Sequence, residues 1–148
     1  MKNLIENRKV GFDFDILDKF EAGIVLTGKE VKSLRNKRGK LEGSYGIITG
    51  NEIFILNLDI PVYQPRNSMG QVEPSRTRKL LLKRKEINYL IGKMNEKRLT
   101  LIPRKIYSKN NKIKVELILG KGRTKIDKRN VIKKRETERE MRREQVIF

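Results

Sequence analysis

Residues 20–35 read FEAGIVLTGKEVKSLR, and the pattern changes halfway along this stretch. Residues 20–26 are rich in β-branched and aromatic side chains, which predicts a β-strand. Residues 27–30 match a helix-opening capping box, in which the threonine hydroxyl accepts from the backbone and the glutamate reaches back. Val31 and Leu34 have the three-residue spacing of one buried helical face. The sequence therefore predicts a strand that leads directly into a short helix.

Two β-hairpins are predicted further along the chain. Each consists of two strand-like runs around a two-residue turn, and such turns favour Gly and Asn because these residues tolerate positive φ. Apolar residues at helical spacing predict a helix over about 83–96, and a polar loop is predicted over 64–77. The hairpins cover residues 44–58, with the turn at Gly50-Asn51, and residues 98–119, with the turn at Asn110-Asn111.

These elements predict a mainly β fold with helices. The leading architecture is a small closed antiparallel β-barrel of the oligonucleotide-binding kind with two or three flanking helices, and a split α+β sandwich is the alternative. Residues 1–11 are predicted to be a polar arm, and 12–119 a β-barrel domain. Residues 120–148 carry eleven Lys and Arg against five acids. We expect them to be a basic tail that is disordered alone and helical on an anionic surface.

The charge of the chain predicts a polyanionic partner. Thirty-six Lys and Arg stand against 18 Asp and Glu, a formal net charge of +18 with a pI of about 10.3. The basic runs recur in the arm, the first helix, residues 76–85 and the tail, whereas a merely solvated surface would mix the two signs. Nucleic acid is the favoured partner. RNA is preferred to DNA because no helix-turn-helix, zinc-finger or basic-zipper pattern is present.

Missing residue types argue against catalysis. The chain has no His and no Cys, so it lacks the usual general base, a thiolate nucleophile and cysteine zinc ligands. No catalytic residue, metal or cofactor is predicted. An RNA-processing enzyme is the least supported alternative, with Asp13, Asp15, Asp18 and Glu21 as the acids to consider. No long apolar run predicts a signal peptide or membrane span, and a cytoplasmic location is expected.

Several further blocks follow residues 20–35 in the order of a known family. Together they make the chain resemble the small protein B family, the tmRNA-binding factors of bacterial trans-translation, from residue 7 to about residue 135. The blocks are Asn7-Arg8-Lys9, Ser44-Tyr45, Arg78-Lys79-Leu80-Leu81-Leu82, Leu90-Ile91-Gly92-Lys93, Lys105-Ile106-Tyr107, Lys114-Val115-Glu116-Leu117 and Asp127-Lys128-Arg129.

The resemblance implies a non-enzymatic oligonucleotide-binding-type barrel that binds the tRNA-like domain of tmRNA. It also implies delivery of tmRNA to stalled ribosomes, with elongation factor Tu and alanyl-tRNA synthetase engaged indirectly through tmRNA. The tail is then expected to fold as a helix in the small-subunit decoding site and the mRNA channel. A ribosomal or ribosome-assembly protein with a basic extension is the alternative, since it would share the charge and the tail.

Site residues follow partly from charge and partly from the resemblance. Glu21 alone reads as an outward strand residue or as an acceptor for base edges, and the resemblance favours RNA contact. Three residues depart from the family pattern. The family commonly has a histidine where this chain has Gly11, a His or Asn where it has Lys83, and an aromatic ring where it has Ile126. The predicted body contacts are Asn7, Arg8, Lys9, Glu21, Gly23, Lys32, Ser33, Arg35, Arg78, Lys79, Leu81 and Lys83. The predicted tail contacts are Lys121, Gly122, Arg123, Asp127, Lys128 and Arg129.

Overall fold

A computed structural model describes residues 1–61, 73–96, 99–122 and 125–146. Residues 64–72 of the predicted polar loop lie outside them. The described strands are β1 (Lys2–Glu6), β2 (Phe14–Ile24), β3 (Tyr45–Thr49), β4 (Glu52–Leu56), β5 (Arg78–Leu81), β6 (Leu99–Lys109) and β7 (Lys112–Gly122). The described helices are α1 (Val10–Asp13), α2 (Gly28–Arg35), α3 (Arg84–Lys93) and α4 (Lys125–Val146). The prediction of a mainly β fold with flanking helices is confirmed.

The strands form one antiparallel sheet that closes into a ring. Its order is β1-β6-β3-β4-β5-β2-β7, and β6 also pairs with β7, which closes six of the strands into a barrel. Along its other edge β6 meets β3 at Leu101 and β1 near its end. A Cβ placed on Gly46 of β3 would lie 2.8 Å from Leu101 Cδ2. Glycine therefore permits the close approach of β3 and β6.

The structure contains the helix start and the two turns that local sequence patterns predict. Thr27 Oγ1 accepts from the Glu30 backbone N–H at 3.3 Å, and Glu30 Oε1 accepts from the Thr27 N–H at 2.9 Å. The φ angles are 57° and 63° at Gly50 and Asn51. They are 52° and 63° at Asn110 and Asn111. Positive φ at both central residues suits a hairpin to the twist of its strands, so both predicted turns are confirmed.

The core fills the barrel from alternate positions of the strands. Val115, Leu117 and Leu119 of β7 are fully buried inside, as their alternation predicts. Ile118 lies on the opposite face yet is also fully buried, because it packs with Val10 of α1 and Ile102 in a second cluster. The short helix α1 therefore covers an apolar patch on the outside of the barrel.

Three boundaries differ from those predicted. Residues 1–11 contain β1, whose Leu4 and Ile5 join the core, because β6 extends past β3 and offers a free edge there. β2 begins at Phe14 rather than near residue 20. β7 continues to Gly122, opposite Phe14, and so passes the compositional break at Gly120. No helix in the described part of the chain is long and apolar enough to cross a membrane.

Candidate nucleic-acid interface

Glu21 lies on the outward face of β2, where its carboxylate is held by two donors. Glu21 Oε2 accepts from the Tyr107 hydroxyl at 2.7 Å and from Lys109 Nζ at 3.3 Å. The Tyr107 hydrogen bond lowers the pKa of Glu21, and Lys109 and Lys114 add to this against the opposing effect of burial. The side chain is 42% exposed. Glu21 is therefore an ionised acceptor in an electropositive surface that is accessible to a ligand.

Tyr107 reaches Glu21 across the intervening strand β7. Glu21 faces Glu116 in the β2–β7 register, and Glu116 in turn faces Lys105 of β6. Two carboxylates directly opposite each other repel, and here each has its own cation: Lys109 for Glu21, and Lys105 at 3.8 Å for Glu116. Burial, together with the bond to Glu21, raises the pKa of Tyr107. Tyr107 therefore stays protonated and keeps donating to Glu21.

Several predicted RNA contacts meet in one open groove next to this carboxylate. The groove has a volume of about 410 Å³. Leu81 is 51% exposed here, so its side chain is accessible to a ligand in the groove. Lys114, which the sequence reasoning did not include, faces Gly23 in the β2–β7 register. We name this surface the Glu21 groove; it is lined by Glu21, Gly23, Leu81, Leu82, Lys83, Glu86 and Lys114.

Helix α2 presents two predicted cations at the surface and turns a third predicted residue inward. Lys32 and Arg35 are exposed, and Arg35 Nη2 donates to the backbone carbonyl of Asn111 at 3.4 Å. Ser33 is fully buried, and its hydroxyl donates to the Pro61 carbonyl at 2.5 Å. Ser33 therefore anchors the helix to the chain after β4 and offers no side chain to RNA.

Arg78 does not contribute its side chain to the surface, which corrects its assignment as an RNA contact. It is fully buried. Its Nε donates to Glu30 Oε2 at 2.6 Å, and its other nitrogens donate to the carbonyls of Leu58 at 2.6 Å and Pro74 at 2.8 Å. Every direction of the guanidinium thus meets an acceptor. A charge that burial removes from water needs such partners, so Arg78 is a structural residue.

Glu30 joins this buried cation to a second arginine. Arg76 Nε donates to Glu30 Oε2 at 3.2 Å, while Glu30 also completes the capping box of α2. Burial favours the neutral acid, but the bonds from Arg76, the Thr27 N–H and Arg78 outweigh it and lower the pKa of Glu30. The cluster of Glu30, Arg76 and Arg78 therefore fixes α2 against β5.

Lys79 is the next residue of β5 and points outward. Its Nζ lies 3.2 Å from a carboxylate oxygen of Glu52, and both side chains are nearly half exposed. An ion pair of this kind contributes about 0–1 kcal/mol. Lys79 can therefore exchange Glu52 for a phosphate at small cost, and its prediction as an RNA contact fits the structure better than that of Arg78.

The residues of the arm and the tail meet at a different groove. Asn7 Oδ1 accepts from the Lys9 N–H at 3.1 Å, and Arg8 and Lys9 are exposed. Lys128 Nζ lies 3.1 Å from Asp13 Oδ1 and 5.6 Å from the centre of the Phe12 ring. This second groove, of about 490 Å³, is lined by Asn7, Asp13, Phe14, Gly43, Ser44, Tyr45, Thr100, Ile102, Gly122 and Lys128.

The predicted tail contacts fall on β7 and α4. Lys121 is exposed at the end of β7, where it faces Asp15. Arg129 is exposed on α4. Arg123 and the side chains of Ile126 and Asp127 lie outside the described residues. Lys128 contacts α1, because the Phe12 ring and the Asp13 carboxylate together attract a cation.

The acids considered for metal-dependent catalysis are spread out. Asp13 faces Lys128, Asp18 Oδ2 accepts from the Tyr89 hydroxyl at 2.5 Å, and Glu21 is held by Tyr107. Among the residues that the structure describes, no three His, Cys, Asp or Glu side chains are grouped to hold a metal ion. The site thus consists of cations, two carboxylates, of which Glu21 is held by Tyr107 and Lys109, and an exposed leucine.

The fold and these surfaces define a small basic β-barrel protein with a surface suited to nucleic acid. A family model described as "SmpB protein" matches residues 4–146, and the chain belongs to this family. The resemblance seen in the sequence is thereby confirmed.

Curated relatives and a solved structure agree with the family. The SsrA-binding protein of Thermosipho melanesiensis is 47% identical over 143 residues, 96% of this chain and 97% of its own. That of Mycoplasma mycoides subsp. mycoides is 43% identical over 136 residues, 92% of each chain. A chain solved under the heading "tmRNA-SmpB: a journey to the center of the bacterial ribosome" is similar with a TM-score of 0.69 and 40% identity. It covers 86% of this chain and 93% of its own.

Proposed function

We propose that this chain binds the tRNA-like domain of tmRNA with its barrel and brings tmRNA to stalled ribosomes for trans-translation. The observation that carries the proposal is the ionised Glu21 beside an exposed leucine in a groove bordered by lysines. The names of the relatives support it, since they bind SsrA, and so does the tmRNA complex of the similar structure.

The Glu21 groove suits a folded RNA better than a featureless polyanion. Lys83 and Lys114 can meet phosphates, which give affinity but no sequence information. Glu21 repels phosphate, but its exposed carboxylate, besides holding Tyr107 and Lys109, can accept a hydrogen bond from a donor group of the RNA. Amino groups of bases and the ribose 2′-hydroxyl are such donors. The groove therefore attracts RNA through its lysines and selects for a hydrogen-bond donor of the RNA through Glu21.

The tail has a separate role in this proposal. Residues 123–148 carry ten basic and five acidic residues, a net charge of +5, and α4 is a helix of 22 residues within them. We assign this helix to the small-subunit decoding site and the mRNA channel, with Asp127, Lys128 and Arg129 as its contacts. Lys121, Gly122 and Arg123, which precede the helix in the sequence, are the other proposed contacts of the tail. Elongation factor Tu and alanyl-tRNA synthetase are engaged through tmRNA, the protein itself is not an enzyme, and its place of action is the cytoplasm.

Sequencing the RNA that co-purifies with the tagged full-length chain tests this function. We expect one abundant structured RNA, tmRNA, enriched far above ribosomal RNA. The matched control is the chain with Glu21→Ala, which should lose most of the enrichment while keeping its charge attraction for bulk RNA. Recovery of ribosomal RNA alone would instead support a ribosomal or assembly protein and would overturn the proposal.

A further inference from the structure

A third cavity adjoins the Glu21 groove and lies on the other side of Gly23 and Leu81 from Glu21. It has a volume of about 390 Å³, within the range of roughly 300–1,000 Å³ that is typical of small-ligand sites. It shares Gly23, Leu81 and Lys114 with the Glu21 groove, so the two form a continuous surface. We name it the Arg35 pocket; it is lined by Gly23, Ile24, Leu26, Val31, Arg35, Leu81, Asn111, Lys112, Ile113 and Lys114.

The Arg35 pocket combines aliphatic lining residues, which we call its floor, with cations, which we call its rim. Five lining side chains are aliphatic, and Arg35, Lys112 and Lys114 are cations. None of the described lining residues is acidic. This differs from the Glu21 groove, which contains two carboxylates. The aliphatic floor residues are Ile24, Leu26, Val31, Leu81 and Ile113.

Contacts between distant parts of the chain hold the rim in place. The bond from Arg35 Nη2 to the Asn111 carbonyl, at 3.4 Å, connects α2 to the β6–β7 turn. That turn is itself fixed by positive φ at Asn110 and Asn111. A Cβ on Gly23 would lie 3.3 Å from Leu81 Cβ, so glycine leaves Leu81 its place between the two cavities. These contacts hold the Arg35 side of the pocket in place.

We propose that the Arg35 pocket receives the base of one unpaired nucleotide of the bound RNA, with its phosphate on Arg35 and Lys112. This proposal rests on the proposed function, because it assumes that the barrel binds RNA. A base is flat with apolar faces, and proteins that read RNA commonly splay single bases out and pack them on aromatic side chains or on Arg. In this pocket Arg35 and the aliphatic side chains would take that place. A bare phosphate would leave the aliphatic floor unused. An apolar peptide would remove three cations from water without a partner, which is costly.

Filling the pocket tests the proposal. Val31 is half-buried and lines the floor, so Val31→Trp should occupy the space of the base. The matched control is Val25→Trp, at an exposed valine of the same region that does not line the pocket. The probe is the tRNA-like domain of tmRNA. Its affinity is measured at fixed salt, and its 2′-hydroxyl acylation is mapped at every nucleotide with and without protein.

We expect Val31→Trp to bind about tenfold more weakly, near the lower end of measured base contacts, while Val25→Trp binds like the unaltered protein. We also expect one unpaired nucleotide whose acylation changes with the unaltered protein but not with Val31→Trp. If a thermal melt shows that Val31→Trp is unfolded, Arg35→Gln and Lys112→Ala replace it. Both should weaken binding and reduce the change in acylation at that same nucleotide.

Two outcomes would contradict the binding of a base in this pocket, and a third would contradict the proposed function on which it rests. Unchanged affinity of folded Val31→Trp, or an acylation map identical to that of the unaltered protein, would show that no base enters the pocket. In both cases Glu21→Ala still weakens binding, so the proposed function survives. Failure of the unaltered protein to bind this RNA at all would instead refute the proposed function itself.

Discussion

Glu21 is a negative charge on a chain of net charge +18, and this contrast makes its role testable. We expect Glu21→Ala to weaken binding of the tRNA-like domain roughly 10- to 100-fold, the worth of a hydrogen bond to a charged group. Pure electrostatics predicts the opposite, since loss of an acid reduces repulsion from phosphate. Filter binding at matched salt measures the difference.

The matched control is Glu6→Ala, which removes the same charge from an exposed position on β1. Its affinity should stay equal or rise slightly. Equal affinity of Glu21→Ala and Glu6→Ala would show that the carboxylate reads no specific group of the RNA.

Tyr107 determines how acidic Glu21 is, and this gives a pH dependence. The Tyr107 bond is the main cause of the lowered pKa of Glu21. The carboxylate is present above its pKa, so binding should persist as the pH falls and fail only below the ordinary glutamate value of about 4.3. In Tyr107→Phe the pKa rises toward that value, and the loss should begin at a higher pH. Affinity titrations from pH 3 to pH 7, with Tyr45→Phe as the control, check the order of the two curves.

The sequence predicts individual residues well where the signal is local. The capping box of Thr27 and Glu30 and the turn at Asn110-Asn111 depend on residues within four positions, so their chemistry is readable directly. The partners of Glu21 are different: Tyr107 is 86 positions away and reaches it only through the register of β7. Such long-range contacts leave no local pattern, and Tyr107, Lys109 and Lys114 were therefore missed as site residues.

Long-range contacts also explain why the burial of Arg78 and the strand β1 were not predicted. Arg78 carries a charge, and charged side chains are ordinarily exposed, so the sequence favoured an RNA contact. Its burial depends on Glu30, 48 positions earlier in the chain. β1 was missed because Leu4 and Ile5 are a short apolar pair whose strand exists only where β6 offers an edge.

At the scale of elements, the buried Glu30 cluster should determine how firmly α2 is held. Glu30→Gln keeps a capping-box acceptor but leaves Arg78 buried without its counter-charge. Breaking a buried pair in this way costs about 3–5 kcal/mol of unfolding free energy. Urea denaturation measures the loss. The control, Glu52→Gln, breaks the exposed pair with Lys79 and should cost about 0–1 kcal/mol.

The lowered pKa of Glu30 adds a pH test for this cluster. Stability from a depressed carboxyl pKa is complete above the unfolded value and is lost as the pH falls toward the folded one. The gap between the unaltered protein and Glu30→Gln should therefore shrink in acid. A gap that stays constant between pH 7 and pH 3 would contradict an ionic role for Glu30.

At the scale of the whole molecule, the barrel and the tail should have separable roles. Because β7 extends to Gly122, the clean boundary for a deletion is residue 123. Removal of residues 123–148 takes away a net charge of +5 and leaves +13. Binding of the tRNA-like domain should fall only several-fold, with a salt slope shallower by about 0.7–0.9 for each lost phosphate contact. Tagging of nascent chains on stalled ribosomes should be lost.

The matched variant changes Asp127, Lys128 and Arg129 together to alanine in the full-length chain. It should abolish tagging with a smaller effect on affinity, since most of the tail charge remains. Full tagging by the truncated protein would refute the division of roles between barrel and tail.

The junction of β3 and β6 has a consequence for the motions of the barrel. Among the described residues, one ladder pair, Gly46 with Leu101, connects these strands and two connect β2 with β5, whereas ten connect β6 with β7. A ring opens first where the fewest ladder pairs must break, and local opening sets the rate of amide hydrogen exchange. We expect the amides of β3 to exchange faster than those of β7, so that the folded barrel is a ring that transiently opens into a curved sheet.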